Sequence, residues 1–122
     1  MPRYVPRRGD AAWLDFSLQK GHEQRGRRPA LVVSATDYNR KVGLAVVCPI
    51  SNQGKGFRFE VVIPPGQRVS GVVLSDHVKS LDWKERNASF IGPVPDAVLD
   101  EVIEKIAVLI GLDLGDEEAL TR

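Results

Sequence analysis

The sequence predicts a mainly β domain, a small barrel or sandwich, closed by one C-terminal α-helix. Three observations lead there. Short apolar runs separated by Gly and Pro fill the first two-thirds of the chain, as in strands joined by tight turns. One stretch near the C-terminus repeats its apolar residues with a period of about 3.6, the mark of an amphipathic helix. The chain has 122 residues, 43% of them hydrophobic, long enough to bury a core and short enough for one domain. No repeat or linker interrupts it, so residues 1–112 read as a single domain and 113–122 as an acidic tail expected to fray.

The elements follow in order. Ala11–Phe16 is a short strand entered through Gly9 and Asp10. Pro29–Ser34 and Val42–Pro49 are continuous apolar runs bounded by turn residues, as buried strands are. Thr36–Lys41 between them is polar and reads as a loop or a short helical turn. Phe57–Ile63 alternates, with Phe57, Phe59 and Val61 on one face and Arg58, Glu60 and Val62 on the other. Pro64-Pro65-Gly66-Gln67 is a turn. Gly71–Leu74 and Ala88–Ile91 complete the strands. Val98, Leu99, Val102, Ile103, Ile106, Leu109 and Ile110 form the stripe of a helix over about residues 95–110, opposite Asp100, Glu101, Glu104 and Lys105. Pro95 suits its first turn, Asp96 the positive end of its dipole and Gly111 its C-terminal cap. Trp13 and Trp83 are expected in the core or at a subunit contact.

Charge first argues against a polyanionic partner and then for one. The formal net charge is only +1. Residues 1–79, however, carry 13 basic and 6 acidic side chains, a net of +7, while residues 80–122 carry 4 and 10, a net of −6. A basic part of this kind fits nucleic acid. Two polar segments within it, Ser17–Arg28 and Ser51–Gly56, are long for structureless loops, which in compact domains are often functional.

Several classes of chemistry are excluded. The single cysteine, Cys48, permits no internal disulfide and lies in an apolar run, as a small buried hydrophobe does. The basic N-terminus has no apolar stretch behind it and is not a secretory signal, and no run is long enough to span a bilayer; a cytoplasmic protein is expected. The two histidines, His22 and His77, have no metal-ligand spacing, and no phosphate loop or nucleophile elbow is present. No metal and no cofactor are therefore expected.

What remains is His22-Glu23-Gln24-Arg25-Gly26-Arg27-Arg28-Pro29, three arginines with a carboxylate and an imidazole at the mouth of a predicted strand. Arginine binds phosphate bidentately and stays charged. Metal-free RNA cleavage needs a group to take the proton of the 2′-OH, cations to neutralise the phosphorane and a donor for the leaving 5′-oxygen. A carboxylate, an arginine and a hydroxyl or backbone N–H can divide those roles.

The residues also carry a family resemblance. Arg7–Phe16, Gly21–Gln24 with Gly26 and Arg28–Ala30, Pro49–Ser51 leading to Lys55-Gly56 and Phe59–Val61, Gly71–Asp76 with Val78–Ser80, Trp83 and Arg86, and Val108–Gly111 stand in order with matching spacing. From Tyr4 to Gly111 the chain resembles the MazF/PemK toxin endoribonucleases, the mRNA interferases of bacterial toxin–antitoxin pairs. The resemblance implies an SH3-like, PemK-type β-barrel with a C-terminal helix, working as a homodimer. It implies metal-independent cleavage of single-stranded RNA at short sequences, leaving 2′,3′-cyclic phosphate and 5′-OH ends. It also implies a cognate antitoxin with an acidic, flexible C-terminal segment.

Residue by residue, Arg28 falls on the family's catalytic arginine. Ser51 falls where the family usually has a threonine that stabilises the scissile phosphate; the serine keeps the hydroxyl and loses the methyl. Glu23 matches a glutamate implicated in activity. Asp76 matches the aspartate that PemK/Kid-type members use as a base; those members carry an arginine two residues earlier, where this chain has Leu74. Glu23 is thus placed among the catalytic residues, with Asp76 as the other candidate base. Substrate contacts are expected from His22, Arg27, Asn52, Gln53, Lys55, Asp76, His77, Lys79 and Arg86, and from Phe16, which can stack on a base. The alternative is a non-enzymatic toxin of the same fold that poisons DNA gyrase by binding it; the 22–29 segment with Arg28 and Ser51 favours RNA chemistry.

Overall fold

The computed structural model describes residues 3–17 and 26–112. In chain order its elements are β1 (Asp10–Asp15), β2 (Arg27–Val32), α1 (Thr36–Val42), β3 (Leu44–Ser51), β4 (Glu60–Val62) and β5 (Val72–Leu74). A 3-10 turn (Ser75–His77), β6 (Lys79–Asp82), β7 (Ser89–Pro93) and α2 (Asp96–Leu109) follow. The seven described strands form one sheet in the order β4-β5-β3-β2-β1-β7, with β6 also on β3, and every pairing is antiparallel. The mainly β architecture with a C-terminal helix is as the sequence predicts. Among the described residues no rung joins β4 to β7, so the barrel is open in its hydrogen bonding.

β3 is the hub, and its sequence explains why. It bonds β2 through Val47, Cys48 and Pro49, β6 through Leu44–Val47, and β5 through Ile50 and Ser51. It is paired along both edges and packs a core on each face, so it reads as an unbroken apolar run. Its alternate residues feed two cores. Cys48 and Ile50 join Ala11, Leu31, Val61 and Val73 beneath Val98, Leu99 and Val102 of α2. Ala45 and Val47 join Ala12, Leu14, Ala30, Val32, Leu81 and Trp83 on the other face. Trp83 is a core residue whose indole N–H donates to the Asn39 carbonyl at 2.9 Å. Trp13 is 41% exposed.

The boundaries differ from expectation where local chemistry outweighs hydropathy. Thr36–Val42 is a helix, with Asp37 in its first turn, Arg40 and Lys41 in its last, and Gly43 as a left-handed cap (φ 84) whose N–H reaches the Asn39 carbonyl. It buries only Asn39, so it shows no apolar stripe. β6 lies outside the predicted strands because it buries a single residue, Leu81. α2 runs from Asp96; Pro95 is its extended N-cap rather than part of its first turn. Two shifts bear on function. β2 begins at Arg27 and β3 ends at Ser51, so Arg27, Arg28 and Ser51 stand on strand ends rather than in loops. His22, Glu23 and the acidic tail lie outside the described residues. Among the described residues no helix is long and apolar enough to cross a membrane.

Candidate active site

The end of β3 builds one wall of the site. Ser51 pairs with Val72, and its Oγ accepts the Gln53 N–H at 3.0 Å, which turns the chain out of the sheet. Gly71 lies directly against it: a Cβ there would sit 2.3 Å from the Ser51 carbonyl oxygen, and its φ of +115° suits only glycine. The Asn52 side-chain oxygen accepts from Ser70 Oγ at 3.3 Å. Glu60, at the start of β4, accepts the backbone N–H groups of Lys55 and Gly56 at 2.9 and 3.0 Å. The Lys55 ammonium stands 5.9 Å from the centre of the Phe57 ring.

A pocket of about 220 Å³ opens between this loop and the 3-10 turn, with Ser51, Gln53 and Lys55 on one side and Asp76 and His77 on the other. The imidazole Nε2 of His77 is 3.8 Å from Asp76 Oδ1. Below the turn, Cys48 Sγ donates weakly to the Ser75 carbonyl at 4.0 Å. Burial, reinforced by the negative charge of Asp76, pushes this thiol up to about 12, so it is protonated at neutral pH. The reading of Cys48 as a small buried hydrophobe agrees with its place in the core.

Strand register brings in Arg28. β2 and β3 pair as Val32 with Val47, Leu31 with Cys48 and Ala30 with Pro49. The β2–β3 ladder ends there, so Arg28, paired with Leu14 of β1, and Ser51, paired with Val72 of β5, lie on neighbouring strands just beyond the last β2–β3 pair. Arg28 is exposed there, beyond the last core residues of its face.

A second cluster surrounds Asp15. Its carboxylate accepts Asn87 Nδ2 at 2.8 Å and Arg27 Nη1 at 3.0 Å. Arg27 Nη2 donates to Ser89 Oγ at 2.8 Å, and Arg86 Nη1 donates to the carbonyls of Asp15 and Phe16 at 3.0 and 2.8 Å. The hydrogen bond from Asn87 and then that from Arg27, with the positive charges of Arg27 and Arg86, hold the Asp15 carboxyl below the usual carboxylate range against the opposing effect of burial. The Phe16 N–H donates to Gly26 O at 2.6 Å, and a Cβ on Gly26 would meet Ser17 at 2.8 Å. Ser17 and Gly26, the described residues on either side of the segment bearing His22 and Glu23, thus meet at a narrow neck. The Lys79 ammonium lies 5.3 Å from the Phe16 ring centre, near enough for a cation–π contact.

The expected site residues therefore fall into two groups. Ser51, Gln53, Lys55, Asp76 and His77 share the pocket, with Asn52 next in sequence to Ser51, and Arg28 is exposed on the neighbouring strand β2. Phe16, Arg27, Lys79 and Arg86 gather at the neck. Arg27 faces the opposite side of β2 from Arg28, as strand alternation requires. The sequence reading did not single out Glu60, Asp15 or Gly71 as site-building residues. For Glu60 a local signal existed, a carboxylate just after a Gly-Lys-Gly loop; Asp15 and Gly71 act across sequence separations that no local pattern reveals.

The model of the family described as PemK-like, MazF-like toxin of type II toxin–antitoxin system matches residues 7–110. The chain belongs to this family. It is 48% identical over 109 residues to the endoribonuclease toxin MazF of Escherichia coli (strain K12), covering 89% of this chain and 97% of that protein. Among solved structures it is similar to MazF from Deinococcus radiodurans (Form-I), with TM-score 0.82 and 50% identity, covering 89% of this chain and 99% of that one. It is also similar to the MazE-MazF structure (Form-II) from the same organism, with TM-score 0.80 and 45% identity over 89% of this chain and 98% of that one.

Proposed function

We propose that the protein is the toxin of a type II toxin–antitoxin pair, a sequence-specific endoribonuclease that cleaves single-stranded RNA without a metal. The observation that carries this reading is the pocket at the end of β3 that brings Ser51 together with Lys55, Asp76 and His77, with Arg28 on the neighbouring strand β2 supporting it. The endoribonuclease activity named for the E. coli MazF relative supports it.

In this mechanism a carboxylate, Glu23 or else Asp76, takes the proton of the 2′-OH as that oxygen attacks phosphorus. Arg28, always charged and able to donate in two directions, neutralises the phosphorane, and the Ser51 hydroxyl donates to a non-bridging oxygen. The P–O5′ bond breaks and the 5′-oxygen gains a proton from solvent, to which the protonated carboxyl returns its own, leaving a 2′,3′-cyclic phosphate and a 5′-hydroxyl. Lys55, Lys79, Arg27, Arg86 and His22 line the approach of the RNA backbone, while Asn52, Gln53, His77 and Phe16 are placed to meet bases. The protein works in the cytoplasm as a homodimer, which lengthens a groove too short on one small subunit. Its antitoxin presents an acidic, flexible C-terminal segment to the basic groove; the MazE-MazF structure supports a cognate protein partner.

The test is incubation of the dimer with single-stranded RNA in EDTA. Cleavage to cyclic-phosphate ends at a short recurring sequence is expected. Intact RNA, or cleavage only after magnesium is added, overturns the proposal. Inhibition of gyrase supercoiling in place of RNA cleavage would establish the protein-binding alternative.

A further inference from the structure

Glu60 opens β4 opposite Leu74 of β5, and its own N–H closes a turn onto the Phe57 carbonyl at 3.1 Å. From that fixed point its carboxylate reaches back over the loop and accepts three hydrogen bonds. Lys55 N donates to Oε1 at 2.9 Å and to Oε2 at 3.1 Å, and Gly56 N donates to Oε1 at 3.0 Å. Adjacent backbone N–H groups converging on one anion form a concavity suited to negative charge. Here the chain supplies the anion itself. Hydrogen bonds to a charged acceptor are the strong ones, and here two amide N–H groups, that of Lys55 shared between both oxygens, tie the loop to the carboxylate.

The loop is seated from below as well. A Cβ on Gly54 would lie 3.1 Å from Val72 Cγ1 and 3.4 Å from Glu60 Oε1, so the backbone packs down on β5 and on the carboxylate. Lys55 is therefore held twice, at its amide by Glu60 and at its ammonium by the Phe57 ring 5.9 Å away. It forms part of the pocket wall facing Asp76 and His77.

We propose that Glu60 is a positioning residue for RNA binding at this pocket. It acts through the Lys55 and Gly56 amides, holding Lys55 in place before substrate arrives. This rests on the endoribonuclease reading above. A preset lysine meets a phosphate without the cost of ordering the loop, and that saving enters ground state and transition state alike. Glu60 therefore governs KM more than kcat.

The experiment compares the full-length protein with E60A, E60Q, K55A and K55A/E60A, measuring kcat and KM on a single-stranded RNA and amide exchange at Lys55 and Gly56. For E60A, KM rises about tenfold, kcat stays within about twofold, and both amides exchange faster, since uniform binding is what is lost. E60Q keeps Oε1, which takes two of the three bonds, and falls between E60A and the wild type; it carries the test if E60A does not fold. K55A/E60A is no worse in KM than K55A, because the two residues act along one path. Wild-type kinetics in E60A, or additive losses in the double variant, overturn the role of Glu60 while leaving the endoribonuclease reading intact. RNA left uncut by the wild type overturns that reading, and the role with it.

Discussion

The two loop regions that frame the site are held at their bases by different chemistry. At the neck around Asp15 the bonds are made by side chains between residues far apart in sequence: Asp15 with Asn87, Arg27 with Ser89, Arg86 with the Asp15 and Phe16 carbonyls. At the Ser51–Glu60 loop the bonds are made by backbone amides to residues two to five positions away, Ser51 Oγ and the Glu60 carboxylate. The neck forms only when β1, β2 and β7 have assembled. The second loop carries its own organisation and needs the sheet mainly as a platform. The neck contains an ion pair, Arg27 with Asp15, which responds to pH and salt, whereas the second loop is tied by backbone amides to a carboxylate.

The largest effect expected is from Arg28→Ala, which belongs to neither set of bonds. Loss of about 10³-fold in cleavage rate, with an unchanged circular dichroism spectrum and melting curve, is the predicted result. Activity retained in that variant would detach the chemistry from Arg28. Gly71→Ala comes next, because it strikes the backbone of the second region. The added Cβ meets the Ser51 carbonyl and the φ is unfavourable, so denaturant unfolding should show a loss of about 2 kcal/mol together with loss of cleavage.

Ser51→Ala should lower kcat about 10²-fold, since a hydroxyl aimed at developing charge is removed, and Ser51→Thr should restore activity. An unchanged kcat in Ser51→Ala would mean that the hydroxyl serves the turn at Gln53 and not the phosphate.

The neck is tested by Asp15→Asn, with an expected loss of about 1 kcal/mol at neutral pH. The Asp15 carboxyl lies below its ordinary value in the folded protein. Its contribution is therefore present above the unfolded value of about 4 and is lost as pH falls through the lower folded value. Melting curves of wild type and variant should converge in acid, and in high salt at neutral pH. Parallel curves at every pH would remove the electrostatic account of the neck. The smallest effect is expected at Cys48: with its thiol pushed up to about 12, the folded protein should resist alkylation at pH 8, and labelling should follow unfolding only.

Much of the fold is legible in the residues. The continuous apolar run of β3 announces a strand covered on both faces, and the stripe from Val98 to Ile110 announces α2, because burial leaves a periodic trace. α1 and β6 leave none, since one buries only Asn39 and the other only Leu81. The placement of Ser51 and Arg28 at strand ends was equally hidden, because polar residues at the end of a buried strand look like the start of a loop.

By itself, then, the sequence determined the mainly β class, the C-terminal helix, the family and the residue types available for chemistry, since hydropathy period and motif spacing are local properties of the chain. Only the tertiary structure decided which of those residues meet. Ser51 shares a pocket with Lys55, Asp76 and His77, while Arg27 turns to Asp15. Gly71 is needed because a second strand passes within contact of Ser51. Register and close approach depend on how strands pair across tens of residues, and that pairing is fixed by the packing of two cores against one sheet, which no local pattern encodes.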